Sequence, residues 1–182
     1  MRALVVYESM FGSTRALAEQ IGAGLAEGGA EASVVEVGAL LTESPPVSGA
    51  GKPSVRLPQD VDLLIVGGPT HALSMSRATT RADAAQDGPV VSSHTGIREW
   101  IEMLVLPVDG VAVATFGTKV QVKGLPGSAA DAAAKRLRKR GGRLVAPSRN
   151  FAVRGRSDGL VDGELEAAHR WGTQLAGALT PA

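Results

Sequence analysis

Four short apolar runs set the limits on what this chain folds into. Residues 3–7 (ALVVY), 32–37 (ASVVEV), 62–68 (DLLIVGG) and 110–117 (GVAVATFG) are short and rich in β-branched side chains. They are continuous rather than alternating, as expected of strands covered on both faces. Helical spacing fills much of the chain between and after them. Leu17, Ile21 and Leu25 recur at every fourth position over 14–28, and Gly28-Gly29 follows as a stop. Ile97, Trp100, Ile101 and Leu104 are spaced for a second helix. Residues 128–140 open with Ser128 and Asp131, a capping-box variant. Residues 163–179 form the last helix, with Asp162 as N-cap and Leu165, Ala168, Leu175 and Leu179 on its inner face. A fifth strand lies within 143–154, interrupted at Pro147. Strands alternating with helices predict a three-layer α/β fold, a parallel sheet between helices. The 182 residues suit a single domain spanning 1–182.

Two stretches break the pattern. Residues 42–60 are rich in Pro, Gly and Ser, and residues 69–93 form a long connection. Both read as loops, with 42–60 and parts of 74–93 expected to be the most mobile.

Aromatic residues are only 3% of the chain, so the core rests on Val, Leu, Ile and Ala. A formal net charge of +1 argues against nucleic acid as the main partner. The absence of cysteine excludes disulfides and thiolate chemistry, and three scattered histidines lack metal-ligand spacing. No stretch is long and apolar enough to span a bilayer. The N-terminus enters a strand directly, without the features of a signal peptide, so a cytoplasmic protein is expected.

The chemistry concentrates in residues 5–21, VVYESMFGSTRALAEQI. Ligands of open α/β sheets bind beyond the carboxyl ends of the strands, where the residues after Tyr7 lie. A helix starting there offers unpaired amides and a positive dipole end to a phosphate. Ser9, Ser13 and Thr14 add hydroxyls, Gly12 allows a tight turn, and Arg15 is the nearby cation. Spacing alone fits a plainly capped helix start as well. No Walker A sequence is present, and GAGLAEG (22–28), superficially a dinucleotide fingerprint, falls inside a helix.

The stretch resembles the flavodoxin signature: two aliphatics, an aromatic, Ser9, Gly12, Thr14, Ala18 and aliphatic Ile21. The resemblance implies a flavodoxin-like three-layer sandwich, a five-stranded parallel sheet of order 2-1-3-4-5. It implies FMN as cofactor, with Ser9, Met10, Phe11, Gly12, Ser13 and Thr14 around its phosphate. Met10 and Phe11 replace hydroxyls common in that family. Loops after the third and fourth strands would flank the flavin ring, namely Pro69, Thr70, His71 and Ala72, then Phe116, Gly117, Thr118 and Lys119. Gly67-Gly68-Pro69 reads as a strand end turning sharply. His71 and Phe116 are the aromatics these loops offer for stacking.

Arg77 and Arg81 on the long connection read either as solvated loop residues or as a clamp for an anionic substrate or a nicotinamide cofactor's phosphate. The cluster KRLRKRGGR (135–143) reads as helix C-terminal stabilisation or as a dock for an acidic partner. His94 and His169 read as structural or exposed. The resemblance implies electron transfer or a flavin-dependent oxidoreductase, working with a redox partner protein or with NAD(P)H or a quinone-type small molecule. No catalytic acid, base or nucleophile stands out, and oligomeric state is not encoded legibly. The alternative is a flavin-free binding module on the same fold. A phosphate-ester enzyme would need a carboxylate cluster at the strand ends that the sequence does not show.

Overall fold

The computed structural model describes residues 1–43, 45, 47, 53–122 and 126–179, so part of the expected 42–60 loop lies outside the described residues. In chain order the elements are β1 (Arg2–Tyr7), α1 (Ser13–Glu27), β2 (Glu31–Glu36), α2 (Val37–Glu43), β3 (Val55–Arg56), β4 (Leu63–His71), β5 (Ser74–Met75), α3 (Ala78–Ala85), α4 (Ile97–Met103), β6 (Leu104–Val105), β7 (Val111–Val120), α5 (Ala129–Lys139), β8 (Gly142–Leu144), β9 (Arg149–Val153) and α6 (Glu164–Leu179).

The main sheet runs β2-β1-β4-β7, with β8 and β9 both paired to β7. All these pairs are parallel, and among the described residues only the short β5 joins the sheet antiparallel, on β4. This is the expected order, with the fifth place shared by two short strands on either side of Pro147. A separate parallel pair, β3 with β6, flanks it.

Successive strand residues face opposite layers. Val5, Ile65 and Ala114 pack with Leu17, Ile21 and Leu25 of α1 and Trp171 and Leu175 of α6. Val6, Leu64, Val66 and Val113 pack on the other face with Ile97, Trp100 and Ile101 of α4 and Ala133 and Leu137 of α5. Glycine lets α1 and α6 touch backbone to backbone. A Cβ at Gly24 would collide with the carbonyl oxygen of His169, and one at Gly172 with that of Ile21. Gly24 and Gly28 therefore serve helix packing, and Gly22 makes room for Val34 of β2.

Several expectations change. The strand read as 32–37 ends at Glu36, because that carboxylate accepts the amides of Gly38 (2.7 Å) and Ala39 (3.0 Å) and starts α2. β4 does not turn at Gly67-Gly68-Pro69 but continues to His71. A Cβ at Gly67 would strike the Phe116 ring, and one at Gly68 would lie 2.7 Å from Ile97 Cδ1. The two glycines thus make room for side chains crossing the strand on both faces. Leu165 is exposed, and the inner face of α6 is set by Ala168, Trp171, Leu175 and Ala176. Asp162 does not cap α6; it pairs with Arg154 at 2.7 Å, and the carbonyl of Gly163 accepts from Ala167. The 69–93 connection contains a β4–β5 hairpin and α3. It ends in a strap, where Val91 and Ser92 donate to the carbonyls of Met10 (2.9 Å) and Ser9 (2.8 Å). Among the described residues no helix is long and apolar enough to cross a membrane.

Candidate functional site

A cleft of about 300 Å³ opens at the carboxyl ends of β1, β4, β7 and β9. Eleven residues singled out by sequence line it: Ser9, Met10, Phe11, Ser13 and Thr14 after β1, Pro69, Thr70, His71 and Ala72 at the end of β4, and Thr118 and Lys119 on β7. Gly12, Phe116 and Gly117 lie off its lining.

The loop after β1 folds around Ser9. Its buried hydroxyl oxygen accepts the amides of Gly12 (3.2 Å) and Arg15 (3.3 Å), and its own amide donates to Ser92 Oγ (3.0 Å). Ser92 in turn donates to Glu36 Oε1 at 2.5 Å, so the loop is tied to β2 and to the strap. Gly12 caps α1 with φ +94°, and nothing lies within 4 Å of where its Cβ would be. Its glycine is required by left-handed backbone rather than by space. The first-turn amides of Ser13 and Thr14 have no carbonyl inside the helix to bond. Beside them the buried hydroxyls of Thr14 and Thr118 stand 3.3 Å apart. Amides, hydroxyls and a dipole end with little bulk form a donor set suited to a phosphate.

The second rim is the β4–β5 hairpin, closed by Ala72 and Leu73 at φ +46° and +64°. Two consecutive left-handed non-glycine residues make the favoured two-residue hairpin turn at a cost of about 1–2 kcal/mol each. Thr70 Oγ1 accepts the Ala129 amide (3.1 Å), fixing the start of α5 against this rim. His71 is held below the usual histidine range, first by burial and then by the positive charges of Arg156 and Arg81. The shift favours the neutral imidazole, in which one ring nitrogen can accept a hydrogen bond.

Phe116 does not face the cleft. β7 is still a regular strand there, and that position points into the core, edge-on to Phe151 and Trp171 at ring separations of 6.4 Å each. Gly117 permits close approach, since a Cβ would lie 3.0 Å from the Gly68 oxygen and 3.2 Å from the Ala130 nitrogen. The aromatic rings lining the cleft are those of Phe11 and His71.

Sequence reasoning missed the roof and the far wall: Thr80, Asp83 and Ala84 of α3, then Val120, Val153, Gly155 and Arg156. Arg15, the cation read from sequence, pairs with Glu19 at 2.8 Å outside the cleft. Arg156 meets the loop after β1 from more than a hundred residues along the chain. Its only local signal is a Gly- and Asp-rich turn at the carboxyl end of the last strand.

A buried polar cluster lies under the roof. Glu8 accepts from Ser76 Oγ and from the Ile97 amide (3.0 Å). Arg81, 2% exposed, donates to Ser76 Oγ (2.8 Å), Glu99 Oε2 (3.2 Å) and the His94 carbonyl (3.0 Å). It is therefore neither a solvated loop residue nor a substrate clamp. Burial pushes the Glu8 carboxyl above the ordinary carboxylate range, against the opposing pull of Ser76, the Ile97 amide and Arg81. Gly96 is enclosed by these groups; a Cβ there would lie 2.5–2.8 Å from Arg81, Glu8 and Ser76 atoms. Arg77 stays exposed at the start of α3, where its amide donates to Thr80 Oγ1.

No protein-family model matches the chain, and no curated protein matches it. Solved structures do match. A flavodoxin from the domain Archaea aligns with 20% identity and a TM-score of 0.59, covering 97% of each chain. Oxidised Flavodoxin 1 from Bacillus cereus aligns with 19% identity and a TM-score of 0.64, covering 99% of this chain and 100% of its own. Rubredoxin oxygen:oxidoreductase from Desulfovibrio gigas aligns with 16% identity and a TM-score of 0.60, over 98% of this chain and 36% of its own length. At these identities the likeness is one of fold.

Proposed function

We propose that this chain, a flavodoxin-like fold, holds FMN in the cleft and serves electron transfer in the cytoplasm, either with a redox partner protein or as an oxidoreductase acting on NAD(P)H or a quinone-type molecule. The observation that carries the reading is the pair of buried hydroxyls, Thr14 and Thr118, beside the free first-turn amides of α1. Those groups would bind the phosphate. Phe11 and neutral His71 would lie against the ring system, and the peptide groups of 70–72 and 118–119 would meet its polar edge. The β4–β5 hairpin and α3 would keep water off it. Flavin, when bound, supplies the redox chemistry by taking up and releasing electrons.

One specific observation favours a second reading, a flavin-free binding module. The ring of Phe116 is committed to the core, so the β7 loop brings no stacking face.

Titration of the wild type, Thr14→Ala and Gly12→Val with FMN and with riboflavin separates the two. Thr14→Ala is expected to cost FMN about 1–2 kcal/mol, the scale of one hydrogen bond to a charged group, and riboflavin little. Gly12→Val forces a β-branched residue into φ +94° and should hurt FMN more. Equal losses for both ligands would mean that the loop does not read the phosphate. A wild type that binds neither ligand would sink the FMN reading and leave the binding module.

A further inference from the structure

The cleft's phosphate end has hydroxyls and amides, but its expected cation, Arg15, is turned outward onto Glu19. A different arginine stands in the lining. Arg156 sits on a hairpin built to hold it there: Val153 and Leu160 bridge antiparallel, Arg154 donates its amide to Gly159 (3.0 Å), and the Arg154 side chain pairs with Asp162. Within that hairpin the Asp158 carboxylate fills the space a Cβ at Gly155 would need. Arg156 reaches across the mouth to Asp87, which follows α3, at 3.1 Å. The pair therefore links the roof of the cleft to its far wall.

We propose that Arg156 is an anion-binding side chain of the cleft and that Asp87 is its resting partner, given up when the phosphate of the bound flavin arrives. The proposal rests on the FMN reading and adds to it a residue outside the loop after β1. Three observations carry it. Arg156 lines the same cleft as Ser13, Thr14 and Thr118. Its pair with Asp87 is open to water, the two side chains being 65% and 47% exposed. Such pairs hold weakly, so the exchange is cheap, whereas a guanidinium on a phosphate makes paired charge-assisted bonds. The Arg156 charge also lowers the His71 pKa, as a guanidinium near that rim of the cleft would.

The experiment is a set of FMN and riboflavin titrations on the full chain as wild type, Arg156→Gln, Asp87→Asn and the double variant, at low and high NaCl. Arg156→Gln is expected to weaken FMN about tenfold and to flatten its salt dependence, leaving riboflavin unchanged. Asp87→Asn removes the competitor and should tighten FMN a few-fold. The double variant should match Arg156→Gln within a factor of two, which separates lost attraction from an unmasked Asp87. Full recovery in the double variant, weaker FMN binding by Asp87→Asn, or wild-type FMN affinity in Arg156→Gln would each overturn the proposal while leaving the FMN reading intact. A wild type that binds neither flavin would overturn both.

Discussion

Arg81 and Arg156 stand on either side of the same roof, and the contrast between them is instructive. Arg81 is 2% exposed and spends its guanidinium on a serine, a glutamate and a carbonyl, beside the buried Glu8. Arg156 is 65% exposed and has one aspartate at the rim. Removing a buried cation strands the groups arranged around it. An exposed one can change partners at small cost. The same side chain is thus a structural member in one place and an available contact in the other, and solvent decides which.

The largest test of that contrast is stability. Arg81→Met takes a donor from Ser76 and from the His94 carbonyl, and leaves Glu99 only the Gly96 amide, so it should cost about 3 kcal/mol in urea unfolding. Arg156→Gln should stay within about 0.5 kcal/mol of wild type. Similar losses would erase the distinction.

A smaller effect is expected in the pH dependence. Burial raises the Glu8 carboxyl above its unfolded value of 4.5, so the folded state holds that proton to higher pH than the unfolded chain does. The stability it contributes is complete below that value and is lost as pH rises through the folded pKa. His71 has the opposite sign. Its folded pKa is depressed below 6.5, so its contribution is present above 6.5 and is lost as pH falls through the lower value. Urea midpoints measured from pH 4 to pH 8 should therefore decline less on the alkaline side in Glu8→Gln, and less on the acid side in His71→Asn. A Glu8→Gln curve parallel to wild type would mean that Glu8 carries no extra proton in the fold.

The smallest effect belongs to the basic end of α5. Arg140 donates to the carbonyls of Leu104 (2.8 Å) and Glu102 (2.5 Å), and Arg136 pairs with Glu102 (2.8 Å). These contacts favour the stabilising reading of the 135–143 cluster. Neutralising Lys139 and Arg140 together should cost about 1 kcal/mol of stability and leave FMN titrations unchanged. Lost flavin affinity would show that the far end of α5 communicates with the cleft.

What was legible in the sequence was whatever is written locally. The strands of the parallel main sheet, the start of α1, the break at Pro147 and the Ser128 cap are properties of neighbouring residues, whereas the two-residue strands β3, β5 and β6 carry no such mark. The loop after β1 is local too, so most of the cleft lining was found. What escaped depends on contacts between distant parts of the chain. Phe116 looks like a loop aromatic until β7 runs three residues past the expected end at 117 and buries it over Gly67. Arg81 looks solvated until Glu8, Ser76 and Glu99 come together around it. Asp162 looks like a cap until Arg154 takes its carboxylate. The paired glycines of β4 mark a turn in most sequences; here they mark the side chains that cross it.

The glycine contact between α1 and α6 has a consequence for how the chain is made. Gly24 and Gly172 lie roughly 150 residues apart, so at about 5–20 residues per second some 7–30 s pass between their syntheses. Only in the later part of that interval, the roughly 55 residues or ~3–11 s between Phe116 and Trp171, does the face of Val5, Ile65, Ala114 and Phe116 exist without Trp171 and Leu175, its final cover. The nascent chain therefore carries a part-covered apolar sheet face until α6 is made, and that interval is when a chaperone has most to bind.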